Sequence, residues 1–286
     1  MFKKIIRSFC LISSSLSVCL LTVACTSPGQ APNSITSGVS GTSDFSRLTW
    51  VDLSHPYDQS TLYWPNNVKG FEHHAEYEGQ TAGNYFYSSY SISTPEHGGT
   101  HLDAPKHFSQ KGWSVDQIPL QSLIGNAVVV DVSDKAKANP DYLIQISDIT
   151  AWENLHGNIP EQSIILFQTG YWRYYPNRKQ YFGTDKTGLE AIAHLHFPGI
   201  SPDLSTWLVE QRKPKAVGID TASIDYGQSK DFQTHRILLG SNILGFENLT
   251  NLDQLPPKGA FIVALPMKIS GGSGGPLRIV GGIPKQ

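Results

Sequence analysis

Three of the chain's ten histidines fall within eleven residues, in the run His97-Gly98-Gly99-Thr100-His101-Leu102-Asp103-Ala104-Pro105-Lys106-His107-Phe108. The spacing H-x3-H-x-D-x3-H gathers imidazole nitrogens and a hard carboxylate oxygen, a donor set that suits Zn, Mn or Fe. Gly98, Gly99 and Pro105 argue against one regular helix, since glycine weakens a helix and proline interrupts it. The segment is therefore expected to be a loop or broken turn. Its glycines let the backbone fold back, which brings His97 and His101 towards one point. On spacing alone, solvated histidines on a polar loop remain the competing reading.

Cysteine plays no part in such a site. The chain's three cysteines, Cys10, Cys19 and Cys25, all lie in the first 25 residues. That stretch has a positive start (Lys3, Lys4, Arg7) and an apolar run from Phe9 to Ala24, the pattern of a signal peptide. Thr22-Val23-Ala24-Cys25 resembles a bacterial lipoprotein box, although Leu21 stands one position earlier than the usual leucine. The resemblance implies lipidation at Cys25 and a membrane-anchored protein; the alternative is secretion after cleavage at Ala24. Residues 26–46 are small, polar and rich in Gly and Pro, as in a flexible linker. Beyond residue 25 neither a disulfide nor a thiolate ligand is available, so a metal must be held by His and carboxylate.

Residues 47–286 read as a single domain without a 20–50-residue repeat. Strands are expected at Thr49–Leu53, in the aromatic alternation from Tyr85 to Ile92, and at Ala127–Val132, Ile164–Phe167, Ala216–Ile219, Phe261–Leu265 and Leu277–Val280. Helices are expected over 148–155 behind a Ser147 cap, over 203–212 behind Ser201-Pro202, and over about 232–239. This pattern gives an α/β class: a mixed β-sheet core with flanking helices.

The histidine run resembles the motif H-x-G-T-H-x-D-x-P-x-H-F of the cyclase family of metal-dependent hydrolases, whose members include the bacterial kynurenine formamidases. A second match lies at His235-Arg236-Ile237-Leu238-Leu239 and Glu247-Asn248-Leu249-Thr250-Asn251-Leu252. The resemblance runs from about Asp52 to Arg278. It implies the family's α/β fold and two divalent metals, zinc foremost and manganese as the alternative. His97, His101 and Asp103 would hold the first and His235 the second, with Asp103 and Glu247 shared. It further implies that His107 is the acid/base residue, for which an ordinary imidazole pKa of ~6.5 is suitable. Tyr63-Trp64-Pro65 resembles the family's early Trp-Pro and implies that Trp64 lines an aromatic substrate pocket, although Asn66-Asn67 follows where Gly-Asp is usual. His196, in His196-Phe197-Pro198-Gly199, is a second substrate-pocket candidate. Asp220 and Asp225 resemble a strand end near the family's site and read as acceptors in a buried turn. His55, His73, His74, His156 and His194 read as solvated or structural.

The activity expected from this resemblance is hydrolysis of a C–N amide bond, with N-formylkynurenine or a related aryl formamide as leading substrate. Opening of a cyclic amide of the isatin type, or of a lactone, is the alternative. A lipoprotein that binds metal or ligand without turnover is the reading from another class; His107 argues against it. A dimer or tetramer is implied by resemblance only. At 39% hydrophobic and 16% charged, the chain is too apolar to be disordered. A net charge of −2 leaves no basic footprint for nucleic acid. No stretch after residue 25 reaches the ~18 apolar residues of a membrane helix.

Gly271-Gly272-Ser273-Gly274-Gly275 satisfies G-x-S-x-G, but a serine hydrolase of that type needs its acid and His downstream and a helix next. No Asp, Glu or His follows Gly275, and Pro276 leads into a strand. These glycines are expected to form a turn.

Overall fold

Periodicity decides the architecture. In a computed structural model, which describes residues 45–285, the strands β1 to β3 span Leu48–Asp52, Glu72–Gln80 and Phe86–Ser93. β4 is His101–Asp103, β5 Ile124–Asp131, β6 Leu143–Ile144, β7 Ile164–Gln168, β8 Gly199–Ile200 and β9 Ala216–Ile219. β10, β11 and β12 are Leu244–Glu247, Lys258–Pro266 and Gly274–Pro284. Five helices intervene: α1 Ser133–Ala138, α2 Ile146–His156, α3 Arg178–Phe182, α4 Pro202–Gln211 and α5 Gln233–Gly240. Cys25, the signal segment and most of the expected linker lie outside the described residues.

β5, β7 and β9 are apolar at nearly every position, as strands buried on both faces must be. Ala127, Val129, Ile164, Leu166 and Ala216 enter one cluster, which also holds Leu102, Phe246, Ile262 and Ile279. The alternate residues Val128, Val130, Ile165, Phe167, Val217 and Ile219 enter another, with Ile149 and Trp152 of α2, Leu204 and Leu208 of α4, and Leu238 of α5. The mixed sheet runs β1-β12-β11-β5-β7-β9-β10-β4, parallel from β5 to β10 and antiparallel elsewhere. It closes on itself, because the three-residue β4 pairs with β10 on one side and with the start of β12 on the other. The first cluster is the inside of this closed sheet, and the second is the layer between sheet and helices.

The expected main-sheet strands and the helix after Ser201 are present. Ser201 Oγ accepts from Leu204 N at 3.1 Å, and Pro202 opens α4. Helix α2 starts earlier than expected and is not capped by Ser147. Its N-cap is Gln145, whose N–H donates to Asp148 Oδ2 at 2.7 Å, so a carboxylate within the first turn satisfies the free amide. The aromatic strand has a partner that its own sequence did not announce: β2, rich in His and Glu, pairs antiparallel with β3 in a two-stranded ribbon separate from the main sheet. Phe86, Tyr87, Tyr90 and Ile92 are exposed on it.

Candidate active site

The closing strand carries the chemistry. Gly99 has φ +55°, in the left-handed region, and Gly98 has φ +148° with the ring of Tyr63 standing where a side chain would be. Gly99 N donates to Leu62 O at 2.9 Å, and Tyr57 OH lies 2.8 and 2.6 Å from the carbonyls of Gly98 and Thr100. This folded-back turn sets the His97 and His101 rings 5.3 Å apart, as the glycines led us to expect. The segment is not all loop, since 101–103 is a strand. There Leu102 goes to the barrel core and its neighbours His101 and Asp103 turn to the opposite side. Glu247 of β10 stands directly across from His101 in the register. Gly245 stands across from Asp103, where a Cβ would come within 3.4 Å of the carboxylate. His235 reaches the same place from α5, which begins after Phe232 in left-handed backbone.

All five expected metal-ligating residues converge. Asp103 Oδ1 is 2.7 Å from His97 Nδ1 and 3.2 Å from His101 Nε2, while its Oδ2 is 3.2 Å from His235 Nε2. Glu247 Oε1 lies 3.2 Å from His235 Nε2 and Oε2 3.5 Å from His101 Nε2. Both carboxylates thus present one oxygen to each side of the cluster. The outer nitrogens have their own acceptors: His101 Nδ1 is 3.0 Å from Gly99 O, and His235 Nδ1 is 2.6 Å from Asp225 Oδ2. Carbonyls and carboxylates only accept, so Nδ1 of each ring keeps its proton on the outer side, and Nε2, which meets the two carboxylates, is the nitrogen a cation would take in place of a proton. The inner nitrogens of two rings and two carboxylates meet in a buried space. Such a donor set fits divalent cations.

The electrostatics agree. Burial opposes a charge on His101, but Asp103 and Glu247 outweigh it and raise the imidazole to about 9. His235 is likewise raised against burial, by bonds to Asp103, Asp225 and Glu247. Asp103 is also buried, yet His101 and the three imidazole contacts hold it well below the usual carboxylate range. Glu247 is pushed up, first by burial and then by Asp103. Protons thus gather where positive charge is wanted, and a bound cation would displace them.

His107 stacks on His97 with ring centroids 3.8 Å apart and 21° between planes. Burial, with the neighbouring imidazoles, pushes it down to about 4 despite Asp103. This departs from the ordinary value expected of it: the ring is neutral at pH 7, and its protonated form would be more acidic than an ordinary imidazolium. Donor atoms of His97, Asp103 and His107 lie within 4.8 Å of one another, so His107 borders the cluster closely.

A cavity of about 290 Å³ opens onto these groups. Trp64 forms one wall as expected, edge-on to Phe197 at 6.3 Å and Phe232 at 6.1 Å. Phe108, Phe182 and Leu62 complete the apolar lining, with Asn66, Asn67 and Asn248 as neutral polar points. His196 does not line it. Its side chain is 45% exposed and its Nδ1 meets Asp141 Oδ2 at 2.8 Å, because the backbone packs against Gly183 and turns the ring outward. Asp220 is the expected structural acceptor, taking Thr169 N, Thr169 Oγ1 and Gly170 N at 2.6–2.8 Å. Asp225 does more than expected, since it orients His235. Phe232 was not read as a site residue, and Ser273 was read only as part of a glycine turn. Ser273 Oγ lies 2.9 Å from His97 Nε2, and a strand, not a helix, follows it.

The chain matches the Cyclase family model over residues 51–226 and belongs to the cyclase family of metal-dependent hydrolases. It is 33% identical over 198 residues to isatin hydrolase of Roseibium aggregatum, covering 66% of this chain and 73% of that protein. Against kynurenine formamidase of Salinibacter ruber the identity is 29% over 234 residues, covering 82% and 97%. The solved structure of isatin hydrolase A from Labrenzia aggregata bound to benzyl benzoate superimposes with a TM-score of 0.76 at 30% identity, covering 84% of this chain and 95% of that one.

Proposed function

We propose that this chain hydrolyses the C–N bond of a small, uncharged aromatic amide with two divalent cations held by His97, His101, Asp103, His235 and Glu247. The observation that carries the reading is the convergence of the Asp103 and Glu247 carboxylates with Nε2 of His101 and His235, at the polar end of an aromatic cavity. Bound zinc or manganese would supply a polarised carbonyl and a water acidic enough to act as nucleophile near neutral pH. The protein's residues do the rest. Trp64, Phe108 and Phe232 hold the aromatic ring and exclude water. His107, neutral at pH 7, receives the proton of the attacking water and passes it to the departing nitrogen. A lowered pKa favours release of that proton to the departing nitrogen over its uptake from water.

No Lys or Arg is among the described residues that line the cavity. An N-formylkynurenine substrate would bring a charged amino-acid end without a cationic partner there, so this lining favours an isatin-type cyclic amide. In that reaction water adds to the ring carbonyl, the C–N bond breaks, and the nitrogen leaves as an aniline. The test is to assay the metal-loaded full chain on isatin, N-formylkynurenine and an aromatic lactone. Chelator-sensitive turnover that is fastest on isatin supports the reading, and preference for N-formylkynurenine overturns the cyclic-amide assignment. Absence of metal together with chelator-insensitive activity overturns the mechanism.

Residues 1–46 support export, with Cys25 as a lipid anchor or Ala24 as the end of a cleaved leader. The exposed ribbon supports a homo-oligomer: a two-stranded hairpin is marginal alone, and Phe86, Tyr90 and Ile92 offer it a surface to cover.

A further inference from the structure

The rejected serine motif sits against the site. Glu96 precedes His97 in sequence, but its carboxylate crosses to the turn before β12. There Glu96 Oε2 accepts from Ser273 N at 2.8 Å, from Ser273 Oγ at 2.6 Å and from Gly274 N at 3.3 Å. A hydroxyl has one proton, and that of Ser273 is given to the carboxylate in a charge-assisted bond. Towards His97 Nε2, 2.9 Å away, Ser273 Oγ can therefore only accept.

We propose that Ser273, backed by Glu96, is a positioning residue that keeps the His97 proton on Nε2 and turns the Nδ1 lone pair towards Asp103. The proposal rests on the reading of His97 as a metal ligand. It gives His97 the outer acceptor that His101 has in Gly99 O and His235 has in Asp225. Metal-binding histidines are commonly held in this way by an outer hydrogen bond. The ring is also confined from behind: a Cβ at Gly274 would come within 3.0 Å of His97 Nδ1, so bare backbone is required there. The same turn is joined to the motif by Ala104 N, which donates to Ser273 O at 2.9 Å. A nucleophilic role for Ser273 is disfavoured, because its hydroxyl proton is given to Glu96 and the one histidine beside it, His97, is turned to Asp103.

The test uses the full chain, labelled with ¹⁵N-histidine and loaded with zinc. Long-range ¹H–¹⁵N correlation should show His97 protonated on Nε2 and not on Nδ1. In chelator competition, Ser273→Ala should weaken the affinity of one zinc by about 10- to 100-fold. Ser273→Thr, which keeps the hydroxyl, should restore it. Glu96→Gln should weaken binding in the wild-type background and add nothing to Ser273→Ala. Equal melting temperatures of the metal-free variants would place the effect in the metal site and not in the fold. Zinc held equally by Ser273→Ala, or a proton on His97 Nδ1, overturns the relay alone; a wild-type chain that takes up no zinc overturns the metal reading together with it. Ser273→Ala with full zinc and abolished turnover would make the serine a reacting group and also overturn the proposal.

Discussion

Asp225 Oδ2 lies 2.6 Å from His235 Nδ1, and the other nitrogen of that ring faces Asp103 and Glu247 at 3.2 Å each. The same Asp225 also accepts from the backbone amides of Thr234 and His235, at 3.2 and 3.1 Å. One side chain thus caps the first turn of α5 and aims the candidate ligand that the turn carries. Asp225→Asn offers a donor where His235 needs an acceptor. It should lower metal affinity about 10- to 100-fold. A stability loss of about 1 kcal/mol from the weakened cap should accompany it. Chelator competition and urea denaturation separate the two effects, and unchanged affinity would exclude Asp225 as an orienting group.

His107 is distinguished from the ligands by how it fails. His107→Ala should keep its metal, because the other five side chains still surround the cluster, while kcat on an amide falls by ~10²–10⁴. An aryl ester, whose leaving group departs without a proton, should suffer less. Loss of half the bound metal would instead make His107 a ligand.

His55 gives a pH dependence of stability away from the site. Its ring stacks on Tyr175 at 3.9 Å and 11°, and its Nε2 is buried without a hydrogen-bond partner among the described residues. Burial lowers its pKa to about 4 from 6.5, with Asp52 opposing. Between those values the unfolded chain binds a proton that the folded chain refuses, so stability falls as pH falls through this window and is intact above it. At pH 5 the loss is at most roughly 2 kcal/mol. Urea midpoints at pH 7 and 5 should differ more for the wild type than for His55→Phe, and equal slopes would reject the account.

The proposed lipid anchor at Cys25 has a direct test. If lipidated, it should hold the chain in the membrane fraction, and Cys25→Ala should release it, since the following polar residues supply no other apolar anchor. A wild-type chain already soluble outside the cytoplasm would indicate plain secretion.

The ribbon of β2 and β3 bears on assembly. Light scattering should give at least a dimeric mass, and Phe86→Ser combined with Ile92→Ser should reduce it while turnover on a small amide persists. A monomeric wild type would refute this.

What was legible in the sequence follows from how local each signal is. The candidate ligands at 97, 101 and 103 sit within one turn and strand, where glycine conformations and side-chain alternation bring them together. The apolar runs at 127–132, 164–167 and 216–219 announced strands buried on both faces. His196 was misplaced because nothing in His-Phe-Pro-Gly says that Gly183 lies behind it and Asp141 in front. Ser273 was judged by the motif it imitates, whereas its role comes from Glu96, 177 residues away in sequence. The partner strand β2 was hidden for another reason: with charged and imidazole side chains on an exposed ribbon, it lacks the apolar alternation that marks a half-buried strand.

The closure of the sheet through three residues has an evolutionary consequence. In β4 Leu102 faces the core and its two neighbours face the candidate metal site, so inserting or deleting one residue would exchange the faces and send a leucine to that site and a carboxylate into the barrel. Such a lineage cannot drift by small steps in this strand without losing fold and catalysis at once. The wall residues Trp64, Phe182 and Phe232 stand on loops or at helix ends, outside the sheet. New substrates can therefore be explored by changing those positions, on a reaction centre that natural selection can preserve or discard but hardly adjust.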